Sequence, residues 1–144
     1  MAERTVLASA LIFPSNAMNR ASVRATGIRT VFTEVASEDF FTRYHGWAFD
    51  KIKSGWQQKD RFKYHAPLEF LLADSKWCKK TFRVDLRRDM RQLARDVEAR
   101  KILWHNGLLA AMEVKALAAA RRRILAAEKA VTEEWRKVDA SLSF

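Results

Sequence analysis

The sequence has few turn-forming residues and little sulfur. Its 144 residues include only 4 Gly, 2 Pro and 1 Cys. So few turn formers exclude a chain of many short strands, and they favour a mostly helical protein. The single cysteine, Cys78, excludes an intramolecular disulfide framework and a thiolate zinc site, because both need several sulfur atoms. At this length, 49% apolar residues are enough to bury the core of one domain.

The sequence also lacks a long apolar run. The best candidate, residues 107–120, is interrupted by Glu113 and Lys115. A membrane-spanning helix needs roughly 18 or more consecutive apolar residues. We therefore expect no segment of this chain to cross a bilayer.

Motifs for chemistry are missing as well. His45, His65 and His105 are too far apart to show metal-ligand spacing, and no phosphate-binding glycine loop or nucleophile elbow occurs. Lys79 could lower the pKa of Cys78, but a small apolar residue on a short helix is the simpler interpretation. We expect no catalytic residue, no metal, no cofactor and no small-molecule substrate, so the chain is not expected to be an enzyme.

The first 33 residues contain four Arg, no Lys, one acidic residue and seven hydroxyl side chains. An Arg-rich, hydroxyl-rich and acid-poor segment is typical of an organellar import sequence. We therefore predict a basic, import-like N-terminal arm over residues 1–36 and a single helical domain over residues 37–144. The predicted location is mitochondrial, on the matrix side of the inner membrane. An ordinary basic arm is the alternative interpretation of residues 1–36.

Apolar residues recur at helical spacing through the C-terminal half of the chain. One stripe predicts a helix over residues 84–105, and a second predicts a helix over residues 108–139. The first stripe contains Leu86, Met90, Leu93 and Val97; the second contains Leu117, Ala120, Ile124, Ala127, Val131, Trp135 and Val138. The predicted fold class is all-α, with several helices, a long C-terminal hairpin or rod, and an irregular N-terminal arm.

Asn106 and Gly107 decide between the hairpin and the rod. Either residue can take the left-handed conformation that ends a helix, and a stop here would let the two stripes bury each other. If the helix continues through Gly107 instead, at a cost of about 1 kcal/mol, the result is a rod on the order of 80 Å long. We favour the hairpin, because Asn and Gly together are a stronger stop than either alone.

The front half of the chain is rich in aromatic residues. Ser37 is a candidate cap for a helix over residues 38–53, and Ser54-Gly55 is its predicted stop. Pro67 suits the first turn of a short helix that ends near Trp77 and Cys78. The connection over residues 56–66 interleaves aromatic and basic side chains.

The net charge of +10 is concentrated in the middle of the chain, where residues 51–91 carry +7. Such a stretch indicates an anionic partner: a nucleic acid, an anionic lipid surface or an acidic protein face. Aromatic residues and arginine also anchor protein interfaces. The candidate partner-binding residues are Trp47, Trp56, Arg61, Lys63, Trp77, Trp104, Arg121, Arg122, Arg123 and Trp135.

These patterns favour a non-catalytic structural accessory subunit of a mitochondrial, membrane-associated multiprotein complex, such as a respiratory-chain complex or the ATP synthase. The expected partners are other subunits of that assembly and anionic lipid head groups. The alternative is a mitochondrial ribosomal or other RNA-binding structural protein, which the basic middle stretch supports.

Overall fold

The computed structural model describes residues 1–16, 30–57 and 66–142. These residues form helices and turns without a strand, which confirms the all-α fold class. Residues 30–34 add a short helical turn, and 3₁₀ turns lie at Ser37–Asp39 and Trp104–Asn106. The helices are α1 (Ala2–Asn16), α2 (Arg43–Gln57), α3 (Ala66–Leu72), α4 (Ser75–Phe82), α5 (Leu86–Glu98) and α6 (Gly107–Leu142).

Helix α1 lies at the centre of the fold. Every residue from Thr5 to Ala10 is buried, so this part of the helix is covered on all sides. A helix can be buried on every side only if all its faces carry apolar or small side chains, and residues 5–10, TVLASA, meet this condition. Helix α1 packs most extensively on α6 and next on α2. It lies within the segment predicted as an N-terminal arm, and it shares one core with the rest of the chain.

Helix α2 supplies the largest aromatic part of the core. Phe49 is fully buried and lies between Phe32 and Phe40, with ring centroids 5.6 and 5.1 Å away. Helix α3 packs along α2 and buries Leu71. Burying rings of this size contributes a large share of the apolar area that stabilises a small domain.

Helix α5 follows the amphipathic pattern of its sequence. Asp85 caps its N-terminus, and the Asp85 carboxylate accepts a hydrogen bond from the Arg88 backbone N–H at 3.2 Å. Leu86, Met90 and Leu93 point into the core. The helix ends at Glu98, and Arg100 takes the left-handed conformation there with φ of 58°.

The chain does break between the two long C-terminal helices, so a continuous rod is wrong. The predicted cause of the break, a left-handed stop at Asn106-Gly107, is wrong as well. Gly107 has φ of −55° and begins α6, so it is not a left-handed stop. A Cβ at this position would collide with the Oγ and Cβ atoms of Ser9. Gly107 therefore permits the close approach of α1 and α6.

The predicted mutual burial of the two apolar stripes is also wrong. Helix α6 makes its most extensive contact with α1 rather than with α5. It buries Gly107, Ala110, Ala111, Val114 and Ala118, and every residue from Arg122 to Leu142 is exposed. Those 21 exposed residues extend about 30 Å beyond the body. We call residues 120–142 the distal part of α6.

Several boundaries in the front half differ from the predicted ones. Residues 37–39 form a 3₁₀ turn, and α2 begins only at Arg43, because Asp39 folds back to accept a hydrogen bond from the Ala36 N–H. Gly55 lies inside α2 and does not end it. The short helix at Pro67 is present as α3, and a separate helix, α4, contains Trp77 and Cys78. Most of the predicted connection over residues 56–66 lies outside the described residues.

Candidate interaction surface

The distal part of α6 exposes a continuous apolar face. Ile124 is 59% exposed, Val131 56%, Trp135 63% and Leu142 76%. At 3.6 residues per turn these side chains lie along one line, turned by roughly 100° from the side of α6 that packs on α1. Single exposed apolar residues are ordinary on a protein surface, but a contiguous row is typical of interaction sites, so this face is the candidate interaction surface.

An open groove continues this face onto the body. The groove encloses about 710 Å³. Phe41, 72% exposed, and Leu109, 67% exposed, lie in its walls. Leu117 belongs both to the groove and to the start of the exposed stripe, so the two surfaces are contiguous.

Arg121 and Arg122 fix α6 to the body where the exposed part begins. Arg122 donates a hydrogen bond to the Asp39 carboxylate at 2.7 Å, and Arg121 donates to the Asp39 backbone carbonyl at 2.8 Å. The Arg121 guanidinium also lies 5.2 Å from the centroid of the Phe41 ring. Burial alone would raise the pKa of Asp39, but hydrogen bonds from the Ala36 N–H and Arg122 outweigh it and hold that pKa below its ordinary value. These contacts set the direction in which the helix leaves the body.

Glu3 joins α1 to the start of α2 beside the groove. Its carboxylate accepts hydrogen bonds from the Phe41 N–H at 2.7 Å and the Thr42 N–H at 3.3 Å, and it lies 2.8 Å from Nδ1 of His45. Burial would raise the pKa of Glu3, but the hydrogen bonds from His45 and the two backbone N–H groups lower it. His45 is thus held by a structural contact.

A second polar cluster ties α1 and α2 to α5. Tyr44 donates to the Asp89 carboxylate at 2.6 Å, and Arg4 donates to the same carboxylate at 3.1 Å. Burial and the Asp89 charge together raise the pKa of Tyr44. Nearby, burial raises the pKa of the Cys78 thiol, with the Asp89 charge adding to the effect. Cys78 is fully buried, so it is not placed as an activated nucleophile.

Helices α4 and α5 present a second exposed surface, which is cationic. Its side chains have no ion-pair partner among the residues that the structure describes. Trp77, 48% exposed, lies among them. We call this surface the cationic face, and it comprises Lys76, Lys79, Lys80, Arg83, Arg87, Arg88 and Arg91.

The structure divides the predicted partner-binding residues into three groups. Trp47, Trp56 and Trp104 are half-buried and pack against the core. Trp47 stacks near Trp77 at 5.3 Å between centroids, and Trp56 donates to the Ala10 carbonyl at 3.4 Å. These rings contribute to packing inside the body.

The remaining predicted residues lie on α4, on α6 or outside the described residues. Arg121 and Arg122 bind Asp39, whereas Arg123 and Trp135 are exposed. Arg61 and Lys63 lie outside the described residues. The exposed candidates among the described residues are therefore Trp77, Arg122, Arg123 and Trp135, and Arg122 is held by Asp39.

The exposure of the largest part of this apolar surface was not predicted from the sequence. Val131 and Ile124 belong to a stripe that the periodicity identified, but that stripe was expected to be buried in a hairpin. The exposure of Phe41 and Leu109 could not be predicted from the local sequence, because it depends on how α1 and α6 pack.

Comparison with known family models, with curated proteins and with solved structures finds no match for this chain. No helix within the described residues is long and apolar enough to cross a membrane. In the same part of the chain, no group of three or more His, Cys, Asp or Glu side chains converges as a metal site would require. The architecture defines an all-α protein with a small helical body and one projecting amphipathic helix.

Proposed function

We propose that this chain is a non-catalytic structural accessory subunit of a multiprotein complex, and that the distal part of α6 contacts another subunit. The observation that carries the proposal is the apolar face on residues 120–142, which projects beyond the body. Keeping this face in water is unfavourable by about 25 cal/mol for each Å² of apolar surface. A partner that covers it recovers that free energy.

The charges beside the face favour a protein partner over an anionic membrane. Glu128, Glu134 and Asp139 lie along the flanks of the apolar residues. A helix lying on an anionic bilayer carries mainly Lys and Arg at those positions, because acidic side chains are repelled by the head groups. Mixed charges beside an apolar seam are instead typical of helices that pack on other helices.

The proposal places the complex in mitochondria, at the matrix side of the inner membrane. Its support is the Arg-rich, acid-poor composition of the first 33 residues. Because Val6 and Leu7 are fully buried in the core, removal of α1 after import would unfold the body. An imported protein of this kind therefore keeps residues 1–16.

Two substitutions on neighbouring residues test the assigned surface. Ile124 and Leu125 are exposed to similar degrees, 59% and 63%, but only Ile124 lies on the apolar face. In mitochondria solubilised with mild detergent and treated with nuclease, the wild-type chain and Leu125→Glu should migrate in a large complex on a native gel. Ile124→Glu should migrate as the free chain.

A chain of free size in every sample, or an Ile124→Glu variant that stays in the complex, would contradict the proposal. Intact-mass measurement of the same mitochondrial protein gives a second readout. A mature chain that begins after residue 16 would rule out retention of α1.

The cationic face favours a second candidate function, which is RNA binding in a ribosomal or related assembly. Lysine and arginine side chains without ion-pair partners can meet phosphates, and an exposed ring such as Trp77 can stack on a base. In this case the purified chain should bind RNA with an affinity that falls steeply with salt. Lys79→Glu and Lys80→Glu together should flatten that dependence, and nuclease should release the chain from its complex.

A further inference from the structure

The apolar face of the distal α6 has a symmetric spacing along the sequence. Read from either end, the intervals between its members are four, three, four, four, three and four residues. Val131 is the midpoint of this pattern. The seven members are Ala120, Ile124, Ala127, Val131, Trp135, Val138 and Leu142.

The two alanines before that midpoint mirror two large side chains after it. If a second copy packs antiparallel with Val131 on the two-fold axis, Trp135 of one copy lies opposite Ala127 of the other. In the same alignment Leu142 lies opposite Ala120. Large side chains therefore meet small ones, which is the condition for close packing between two helices.

A parallel arrangement of the same helices packs poorly. It would place Trp135 on Trp135 and Ala127 on Ala127, so that one layer is crowded and the next is left with a gap. It would also bring Arg121, Arg122 and Arg123 of the two copies together, where like charges repel.

The charges on one flank also favour the antiparallel alignment. Arg121 and Asp139 lie on the same side of the apolar face, at nearly equal distances on either side of Val131. Antiparallel pairing brings Arg121 of each copy, while one of its guanidinium nitrogens still donates to the Asp39 carbonyl of its own chain, close to Asp139 of the other copy. The opposite flank brings Arg123 towards Lys137, but Lys137 lies about 120° from the centre of the face, so these two side chains can spread apart into water.

The bodies leave room for this pairing. The shared segment is about 34 Å long, and the two bodies lie at its opposite ends because each body contacts its own α6 no further along than Arg122. Covering the seven side chains on both copies would remove on the order of 1,000 Å² from water, near the lower limit for a specific interface. A reversible dimer is therefore expected, with a population that depends on concentration.

We infer that the occupant of the distal α6 face is a second copy of this chain, paired antiparallel about Val131. The inference rests on the proposed function and names the neighbouring subunit within the complex. A two-fold pair of this kind is isologous, so the same patch serves both copies and this contact closes at two, while the other surfaces of each copy stay open to further subunits of the complex.

Cysteine pairs test the alignment directly. In a Cys78→Ala background whose fold is checked by circular dichroism, Ile124→Cys and Val138→Cys are purified separately and then mixed under mild oxidation with glutathione disulfide. The mixture should form a covalent dimer that contains one chain of each variant. Ile124→Cys alone, and Leu125→Cys mixed with Val138→Cys, should remain largely uncrosslinked.

Sedimentation of the wild-type chain gives the complementary measurement. Its mass should move from monomer to dimer as the concentration rises through the micromolar range, while Trp135→Glu should stay monomeric. Crosslinking of Ile124→Cys with itself as readily as in the mixture would overturn the antiparallel alignment, and a wild-type chain that stays monomeric would overturn self-pairing.

The experiments distinguish a failure of self-pairing from a failure of the proposed function. If the purified chain stays monomeric while Ile124→Glu, unlike Leu125→Glu, is lost from the native complex, a different subunit covers the face. In that case the inference fails and the proposed function stands. If neither substitution releases the chain from the complex, both fail.

Discussion

Gly107 sets how closely α1 and α6 approach each other. The space that a Cβ would need at this position is occupied by Ser9, whose hydroxyl donates a hydrogen bond to the Val6 carbonyl at 2.8 Å. A glycine near the end of a predicted helix suggests a left-handed stop, but here it serves a contact between elements far apart in sequence. Sequence alone did not distinguish these two roles.

Gly107→Ala should destabilise the protein by about 1–3 kcal/mol, because the added methyl group overpacks a rigid contact. Urea unfolding followed by circular dichroism measures the change. Ser9→Gly removes the atoms that the methyl group meets, so the double variant should lose clearly less than the sum of the two single variants. Full additivity would contradict the assigned contact.

Glu3 makes the folding stability of the protein depend on pH in the acid range. Hydrogen bonds hold its folded-state pKa below the ordinary value of 4.5, so the carboxylate form favours the folded state. This stabilisation is complete above the ordinary value and is lost as the pH falls through the folded-state pKa. Asp39 shifts in the same direction and adds to the effect.

Glu3→Gln should therefore flatten the acid side of the stability profile, measured as urea midpoints between neutral and acidic pH. At neutral pH the variant should be less stable than the wild-type chain, and the two should converge as the pH falls. The same substitution at the exposed Glu98 is the control. A Glu3→Gln profile parallel to that of the wild-type chain would contradict the assignment.

At the scale of the elements, helix α6 has two halves with different roles. Its first half packs on α1 through Gly107, Ala111 and Val114, and its second half is exposed on every side. After Ala118 the side of α6 that packs on α1 is mostly polar, and the last contacts with the body described for it are those of Arg121 and Arg122 with Asp39. The helix persists beyond this point because residues 116–127 are mostly strong helix formers.

Two tryptophan substitutions separate these halves. Trp104 is half-buried against the core, so Trp104→Ala should cost about 2 kcal/mol, somewhat below the loss for a fully buried ring. Trp135→Ala should leave the unfolding free energy of the dilute, monomeric chain unchanged, since 63% of the residue is exposed. Urea unfolding at low protein concentration measures both. A large loss for Trp135→Ala would mean that the distal helix packs on the body.

The elements were easier to predict than their packing. Periodicity identified α5 and most of α6, because a run such as Leu86, Met90 and Leu93 depends only on local spacing. Which helix covers which stripe depends on the position of α1, and the Arg-rich, acid-poor segment that contains α1 was predicted to be an arm outside the helical domain. The exposed face of α6 was therefore found as a pattern but assigned to the wrong environment.

At the scale of the whole molecule, the chain combines a packed body with an unshielded apolar helix. The body is closed around α1 and held by polar clusters at Glu3, Asp39 and Asp89. In contrast, the helix extends about 30 Å from it. A monomer gains nothing from such an extension, whereas a subunit that must contact a neighbour does. This contrast supports the proposal that the chain functions as part of an assembly.

Amide hydrogen exchange across residues 120–142 in the assembled protein tests this account most directly. A helix exposed on all sides opens locally and exchanges quickly, whereas one packed against a partner is protected. The account predicts slow exchange over this segment in the assembled wild-type protein and fast exchange in Ile124→Glu, with equal protection of α1 in both. Equally fast exchange of the distal helix in both proteins would show that nothing covers its apolar face and would contradict the account.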